Sequence, residues 1–437
     1  MNPAVFHNPT FKALGIGFLA LLMLIPLLKV DGLISERQDL RRQALAQIAQ
    51  GWGTQQTLGG PVLAIPKHVR IANDKEYVTV ERAEILLADA LKIDGTLAVD
   101  ERHYGIYSAP VYSATLKLHA RFVASDFAAL EKDDAQWQWQ RAELRLPLSD
   151  VRGLRSISVF RINGIDARFR SGSESVVGIT SVATSIDLST LRSKDFDVYI
   201  EMVAAGTERF DVLPLARTSE VNLAAPWPNP SFGGAFLPDK SDIDKDHFNA
   251  HWQVLDINRS FGQRWEQSRE GTQAFANTSF GFALYQPASV YQQNVRAGKY
   301  GLLVITLTFI AVFLCEVLKR LRVHALQYLL VGVALATFYV VLLALSEQIG
   351  FKFAYLAAAI AVVVMIGGYI GAILGTWRAG LLLASLLSLI YGLFYVLVVS
   401  EQYSLLMGAL ALLITVAAMM FLTRRVDWYA MSQRKVV

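Results

Sequence analysis

FAYLAAAIAVVVMIGGYIGAIL, residues Phe353–Leu374, contains no Asp, Glu, Lys, Arg or His. A run of this length and purity matches the roughly 20 apolar residues that cross a bilayer core as a helix. It does not stand alone. Tyr300–Leu318, Ala325–Leu345, Leu381–Val399 and Leu405–Leu422 are runs of the same kind, separated by short polar loops. Five consecutive spans over the last third of the chain place the protein in a lipid bilayer.

Working outward, a sixth apolar run lies near the N-terminus. Ala13–Leu28 is flanked by Lys12 and Lys29, whose long side chains reach toward the membrane surface and extend a short span. Lys29-Val30-Asp31-Gly32-Leu33 offers no small-x-small cleavage site. The segment therefore reads as an uncleaved signal anchor over residues 13–30 and not as a removed signal peptide.

Basic residues set the orientation. With residues 1–12 in the cytoplasm, Lys319, Arg320, Arg322, Arg378, Arg424 and Arg425 all fall on the inner side, against Lys352 on the outer side. Trp377 and Trp428-Tyr429 then sit at the inner interface. The expectation is six spans (13–30, 300–318, 325–345, 353–374, 381–399, 405–422), both termini cytoplasmic, a tail at 423–437, and residues 31–298 exported. Hydrophobic residues make up 53% of the chain, which excludes an ordinary soluble protein. The formal net charge of only +4, with no clustered basic-aromatic surface, argues against nucleic acid as a partner. The one cysteine, Cys315, lies within a span, so the exported part has no disulfide.

In the exported part, residues 35–50 read as a juxtamembrane helix. Leu40, Ala44, Leu45 and Ile48 form its apolar stripe, and Gly51 and Gly53 stop it. Beyond it the period changes to two. In Tyr112–Phe122, Tyr112, Ala114, Leu116, Leu118, Ala120 and Phe122 alternate with polar residues, the pattern of a half-buried antiparallel strand. Asn163-Gly164 between Ile157–Ile162 and Ile165–Arg170 predicts a hairpin with a type I′ turn. Ala142–Leu148, Val198–Val203, Val221–Leu223 and Ser279–Leu284 are further strands, and Asp126–Lys132 is the best short helix. The fold class is thus a six-span α-helical bundle carrying a large, β-rich, antiparallel periplasmic domain, sandwich-like or two such units in tandem. The Pro-rich stretch Ala225–Pro238 reads as a long crossing loop.

Chemistry-bearing motifs are scarce. The sequence has no G-x-S-x-G, P-loop, H-E-x-x-H or C-x-x-C. His247 and His251 form H-x-x-x-H, but Trp252-Gln253-Val254 reads as strand, where that spacing does not bring two imidazoles to one metal. No cofactor, metal or catalytic residue is expected. Glu316 is the one carboxylate inside an apolar run and is expected to snorkel or to pair with Lys319 or Arg320. Small residues fall in register instead. Gly367, Gly371 and Gly375 form one ladder; Gly380, Ala384, Ser388 and Gly392 form another, and only four residues separate the two. Such ladders let antiparallel helices approach closely. Phe338-Tyr339 ahead of Ser346-Glu347 echoes Phe394-Tyr395 ahead of Ser400-Glu401, a pattern that helix-hairpin duplication and chance both produce.

Several stretches together resemble one family. They are Gly60–Pro66, Arg102–Tyr107, Trp227–Phe232, Ala250-His251-Trp252, Gln327–Gly332, Ala344–Glu347, Met419-Met420-Phe421 and Asp427-Trp428-Tyr429. In this order they resemble the CreD family of bacterial inner-membrane proteins. The resemblance implies a Gram-negative inner-membrane protein associated with cell-envelope integrity. It also implies control by a sensor kinase and response regulator, and a link to tolerance of colicins and β-lactams. It supplies no activity and no catalytic residue. The leading expectation is a non-enzymatic protein whose partners are the lipid bilayer and an envelope component of unknown identity. The interaction face to test is Trp227, Pro228, Pro230 and Phe232 with His251 and Trp252, set against the alternative that these aromatics close the domain core. A transporter or lipid-handling bundle and an envelope hydrolase are the competing functions.

Overall fold

The structure is a computed structural model that describes residues 9–73, 76–133, 135–170, 175–267, 275, 277–286, 290–319, 323–373, 377–400 and 404–424. The chain divides into two compact units. One comprises residues 1–41 and 288–437, the other Arg42–Pro287.

The helices are α1 Pro9–Leu22, α2 Leu24–Trp52, α3 Ala124–Leu130, α4 Leu188–Leu191, α5 Val290–Lys299, α6 Gly301–Lys319, α7 Ala325–Ile373, α8 Trp377–Val399 and α9 Ser404–Thr423. The strands are β1 Gln56–Gly59, β2 Val62–Asn73, β3 Glu76–Leu86, β4 Ala88–Tyr104, β5 Tyr107–Phe122, β6 Gln136–Trp137, β7 Ala142–Pro147, β8 Leu154–Ile162 and β9 Ile165–Asp166. After these come β10 Ser181–Ile186, β11 Phe196–Thr207, β12 Arg209–Leu213, β13 Ala216–Ala225, β14 Pro230–Gly234, β15 Lys240–Ile243, β16 Phe248–Leu255, β17 Arg264–Glu266 and β18 Phe280–Leu284.

Among the described residues, three helices are long and apolar enough to cross a membrane by length and composition, or up to four when the bent pair α5–α6 is taken as one span. Helix α7 explains why two apolar runs appear as one element. Gly350, at φ 76° and ψ 159°, breaks its helical path, and only glycine takes that φ without strain. The runs 325–345 and 353–374 lie on either side of this kink. Helices α1 and α2 meet at Met23. Pro26 has no N–H to donate but is tolerated because it occupies the first turn of α2. That helix runs without interruption to Trp52, so the juxtamembrane helix continues the apolar one. Gly53, at φ 136°, ends it.

In the β unit, the strands make three sheets: four strands in order β1-β12-β18-β14, eight in order β15-β16-β13-β4-β5-β11-β8-β9, and a six-stranded sheet with path β10-β7-β2-β3-β17 and β6 on β2. This differs from a two-sheet sandwich or a tandem pair. The sheets are also not wholly antiparallel. Strand β1 runs parallel to β12, and β13 parallel to β4. Both pairs join segments far apart in sequence, as parallel pairing requires a long connection.

The alternation in Tyr112–Phe122 becomes the core face of β5, where Tyr112, Ala114, Leu116, Leu118 and Ala120 are fully buried. Its partner β4 forms a long hairpin closed by Gly105 at φ 62°, the first-position glycine of a type II′ turn. Asn163 at φ 50° and Gly164 at φ 81° make the expected type I′ turn between β8 and β9. Each large side chain buried here contributes about 1.5–3 kcal/mol.

Candidate functional site

The Pro-rich stretch 225–238 is not all loop. It contains β14, an edge strand of the four-stranded sheet, and leads to β15, an edge strand of the eight-stranded sheet. Pro230 opens β14, where a missing N–H is harmless at an edge. The indole N–H of Trp227 donates to the carbonyls of Asn229 and Tyr285, each at 3.2 Å. These bonds fix the ring on a rim whose Pro226, Pro228, Asn229 and Ser231 are exposed. Tyr285 and Leu237 are exposed large side chains of the same connections.

The other residues of the expected face divide. Phe232 is half-buried and packs edge-on against Phe248 and Trp252, at 5.6 and 5.8 Å. Trp252 is fully buried in β16 and packs at a tilt against Phe280, so it is a core residue and presents no surface. Its β16 neighbour His251 points the other way, as alternation demands, and its Nδ1 lies 2.7 Å from Asn222 Oδ1. His247 precedes the strand, with Nε2 3.2 Å from Asp244 Oδ2. Four residues of extended chain hold the two histidines about 13 Å apart. Among the described residues, no group of three or more His, Cys, Asp or Glu converges as a metal site.

Beside this rim, sequence reading missed Arg209 and Asp211. They lie two apart on β12, so they share a face. Arg209 Nε donates to Asp211 Oδ2 at 2.6 Å. Across the sheet, Asp211 pairs with Gly281, which pairs with Gly233. Both glycines leave the floor of this face low, and a Cβ on Gly233 would sit 3.6 Å from the Arg209 guanidinium. Burial pushes the Asp211 carboxyl up from its ordinary value, and the Arg209 bond opposes it. The Arg-x-Asp pair within an otherwise apolar strand was the available signal.

In the helical unit, the polar focus is Glu316, buried near the end of α6. Its Oε1 accepts from Lys12 Nζ and from the Val323 N–H, the latter at 3.1 Å. Its Oε2 accepts from the Tyr328 hydroxyl at 3.0 Å. Lys12 also donates to the Val323 carbonyl at 2.8 Å. The carboxylate is therefore paired across α1 and α7; the expected pairing with Lys319 or Arg320 lies outside the residues whose side chains the structure describes. A buried carboxylate needs this many donors to offset its desolvation.

The glycine ladders meet in part. Gly367 lies against Ala384, with a Cβ on Gly367 only 2.9 Å from the Ala384 Cβ. Gly371 and Gly380 face each other backbone to backbone, at 3.2 Å from one Cβ position. Ser388 and Gly392 are exposed, and a Cβ on Gly392 would meet nothing within 4 Å. Gly375 lies outside the described residues.

Membrane-length apolar helices in one unit and three large sheets in the other define an integral membrane protein with an extensive β-rich part. The family model described as "Inner membrane protein CreD" matches residues 8–429, and the chain belongs to that family. It is 34% identical over 421 residues, covering 95% of this chain and 93% of the relative, to the inner membrane protein CreD of Escherichia coli (strain K12).

Proposed function

We propose that this inner-membrane protein supports cell-envelope integrity by non-catalytic binding of an envelope component. The β unit lies on the periplasmic side, and six spans with both termini in the cytoplasm anchor it. The reading is carried by Trp227, whose indole is fixed by two carbonyls on an exposed, proline-stiffened rim. A preorganised aromatic supplies contact area with little ordering cost. Pro228 and Pro230 stiffen the rim, and Arg209 supplies a half-buried guanidinium beside it.

The test is in-cell photo-crosslinking from Pro228 and, as control, from exposed Ile165 at the far edge strand of the eight-stranded sheet. An adduct from position 228 that is absent from position 165 and is lost with Trp227→Ala supports the reading. Identical adduct patterns from both positions overturn it.

A second reading, transport or lipid handling through the bundle, is favoured by the ionisable cluster of buried Glu316 and Tyr328 with partly buried Lys12. Ionisable groups held inside a membrane bundle mark functional pathways more often than surface ones do.

A further inference from the structure

The stretch Arg102–Tyr107, apart from the Trp227 rim, closes the β4–β5 hairpin of the β unit. Strand β13 pairs with residues 88–96 of β4, and β11 with residues 111–122 of β5. Among the described residues, 101–104 and 107–110 pair only with each other. The hairpin therefore runs past the eight-stranded sheet as a two-stranded arm. Residues 101–106 are all exposed, and Tyr104 and Ile106 each leave 56% of their surface open. A two-stranded ribbon has no core of its own to receive these side chains.

The arm has a direction. At its base, Trp52 at the end of α2 donates its indole N–H to the Tyr112 carbonyl at 3.1 Å. Nearer the tip, Ala109 and Val111 form a cluster with Ile48, against which Leu45 packs. Moving from Tyr112 toward the tip is thus moving from Trp52 back toward Arg42, where the chain enters the β unit. From Ala109 to the Gly105 turn the arm advances about 13 Å, whereas Leu45 to Arg42 is about 5 Å of helix. The tip reaches past this entry point. Along the chain, Arg42 follows Lys29, the flank of the apolar run Ala13–Leu28, by only about 20 Å of helix.

The chemistry of the tip fits a lipid surface. His103, Tyr104, Gly105, Ile106 and Tyr107 include no carboxylate. The two carboxylates behind them are engaged. Asp100 Oδ2 lies 3.4 Å from Arg102 Nη2, and Glu101 Oε1 accepts from the Ser108 hydroxyl at 2.5 Å. The Arg102 guanidinium itself lies over the Trp52 ring. Tyrosine beside an aliphatic side chain suits the headgroup level of a bilayer, with the apolar bodies at the acyl boundary and the hydroxyl in water. We propose that the β4–β5 tip inserts Tyr104 and Ile106 into the surface of the bilayer that holds this chain, giving the β unit a membrane attachment besides its two chain connections. This inference makes no use of the Trp227 face, so either can fail alone.

The experiment uses the full chain with Cys315→Ser in nanodiscs of phosphatidylethanolamine and phosphatidylglycerol. An environment-sensitive fluorophore is attached at His103→Cys on the tip or, as control, at Ile165→Cys on the exposed β8–β9 turn. Spin-labelled lipid quenches the fluorophore at 103 and not at 165, and aqueous iodide does the reverse. Tyr104→Ser/Ile106→Ser moves the fluorophore at 103 off the lipid by about tenfold in the contact equilibrium, as loss of both apolar contacts predicts. Equal lipid quenching at 103 and 165 overturns the proposal, as does quenching at 103 that survives Tyr104→Ser/Ile106→Ser. Protection of 103 from iodide that occurs only in discs holding two chains, without lipid quenching, assigns the tip to a second copy and also overturns it.

Discussion

Lys12 and Glu316 stand 304 positions apart in the chain and form an ion pair in the helical unit. Tyr328 and the Val323 amide complete the carboxylate's shell. Removing one partner of a buried pair leaves a charge stranded and costs about 3–5 kcal/mol, whereas replacing both by apolar groups is far milder. Lys12→Met is therefore expected to lower the thermal midpoint in detergent more than the double variant Lys12→Met/Glu316→Met does. A double variant at least as unstable as the single would contradict this account of the pair.

This pair also shows where sequence reading stops. Alternation in Tyr112–Phe122, the Asn163-Gly164 turn and the apolar runs were legible because each is a local, periodic signal. Along the chain Glu316 has Lys319 and Arg320 as its nearest charges, or a snorkelling position, and no periodicity points to Lys12. The pairing of β4 with β13, and of β1 with β12, is equally non-local. Ala88–Tyr104 did carry a local signal, since Leu91, Ile93 and Leu97 alternate with Lys92, Asp94 and Thr96. For the candidate face, Trp227 and Trp252 look alike in sequence. Only the strand register shows that Val221 and Trp252 sit opposite each other on the inner face, with Asn222 and His251 on the other.

Asp150 gives the β unit a defined acid sensitivity. Its carboxylate accepts from Arg152 Nε and Nη2 at 2.9 and 3.0 Å, and from the Thr54 amide and hydroxyl, both at 3.0 Å. The Arg152 guanidinium, more than the Thr54 bonds, holds the carboxyl well below the usual carboxylate range, against the opposing effect of burial. A depressed folded value means that the unfolded chain binds the proton more readily in acid. The stabilisation is fully present above the unfolded carboxylate's pKa of about 4 and is lost as pH falls through the lower folded value. Asp150→Asn is expected to cost about 2 kcal/mol at pH 7. It should also flatten the fall in thermal midpoint below pH 4. A mutant whose acid limb parallels the wild type would reject the assignment.

The helix crossing between α7 and α8 depends on glycines at particular positions. A Cβ on Gly380 would lie 2.7 Å from the Gly367 carbonyl and 2.9 Å from the Gly371 Cα, both backbone atoms that cannot rotate away. Gly380→Leu and Gly371→Leu should each destabilise the bundle by about 1–3 kcal/mol or more, the cost of overpacking. Gly392→Leu should change stability by less than about 0.5 kcal/mol, as for a surface substitution. Thermal unfolding in one detergent, with the three variants side by side, separates a packing ladder from a mere run of small residues. Equal effects at 380 and 392 would refute the contact.

Trp52 is the last residue of α2 and the point where that helix is fastened to the sheets of its own unit. The Arg102 and Arg155 guanidinium groups lie 4.5 and 4.7 Å from its ring centroid. Its indole N–H donates to the Tyr112 carbonyl at 3.1 Å, and its own carbonyl accepts from Arg155 Nη2 at 2.6 Å. Leu45 and Ile48, two turns and one turn earlier, pack on Ala109 and Val111 of β5. A single ring thus combines apolar contact, a backbone hydrogen bond and two cation–π contacts worth about 0.5–1 kcal/mol each at exposed sites. Trp52→Phe keeps an aromatic face but drops the N–H donor, so it should cost about 1 kcal/mol. Trp52→Ala removes every contact and should cost about 3 kcal/mol. If the ring fastens the helix, limited proteolysis of Trp52→Ala should cut between residues 45 and 56 before any sheet residue, while Trp52→Phe stays protected. First cleavage within β4 or β5 would show that the ring stabilises the sheet globally and does not pin the helix.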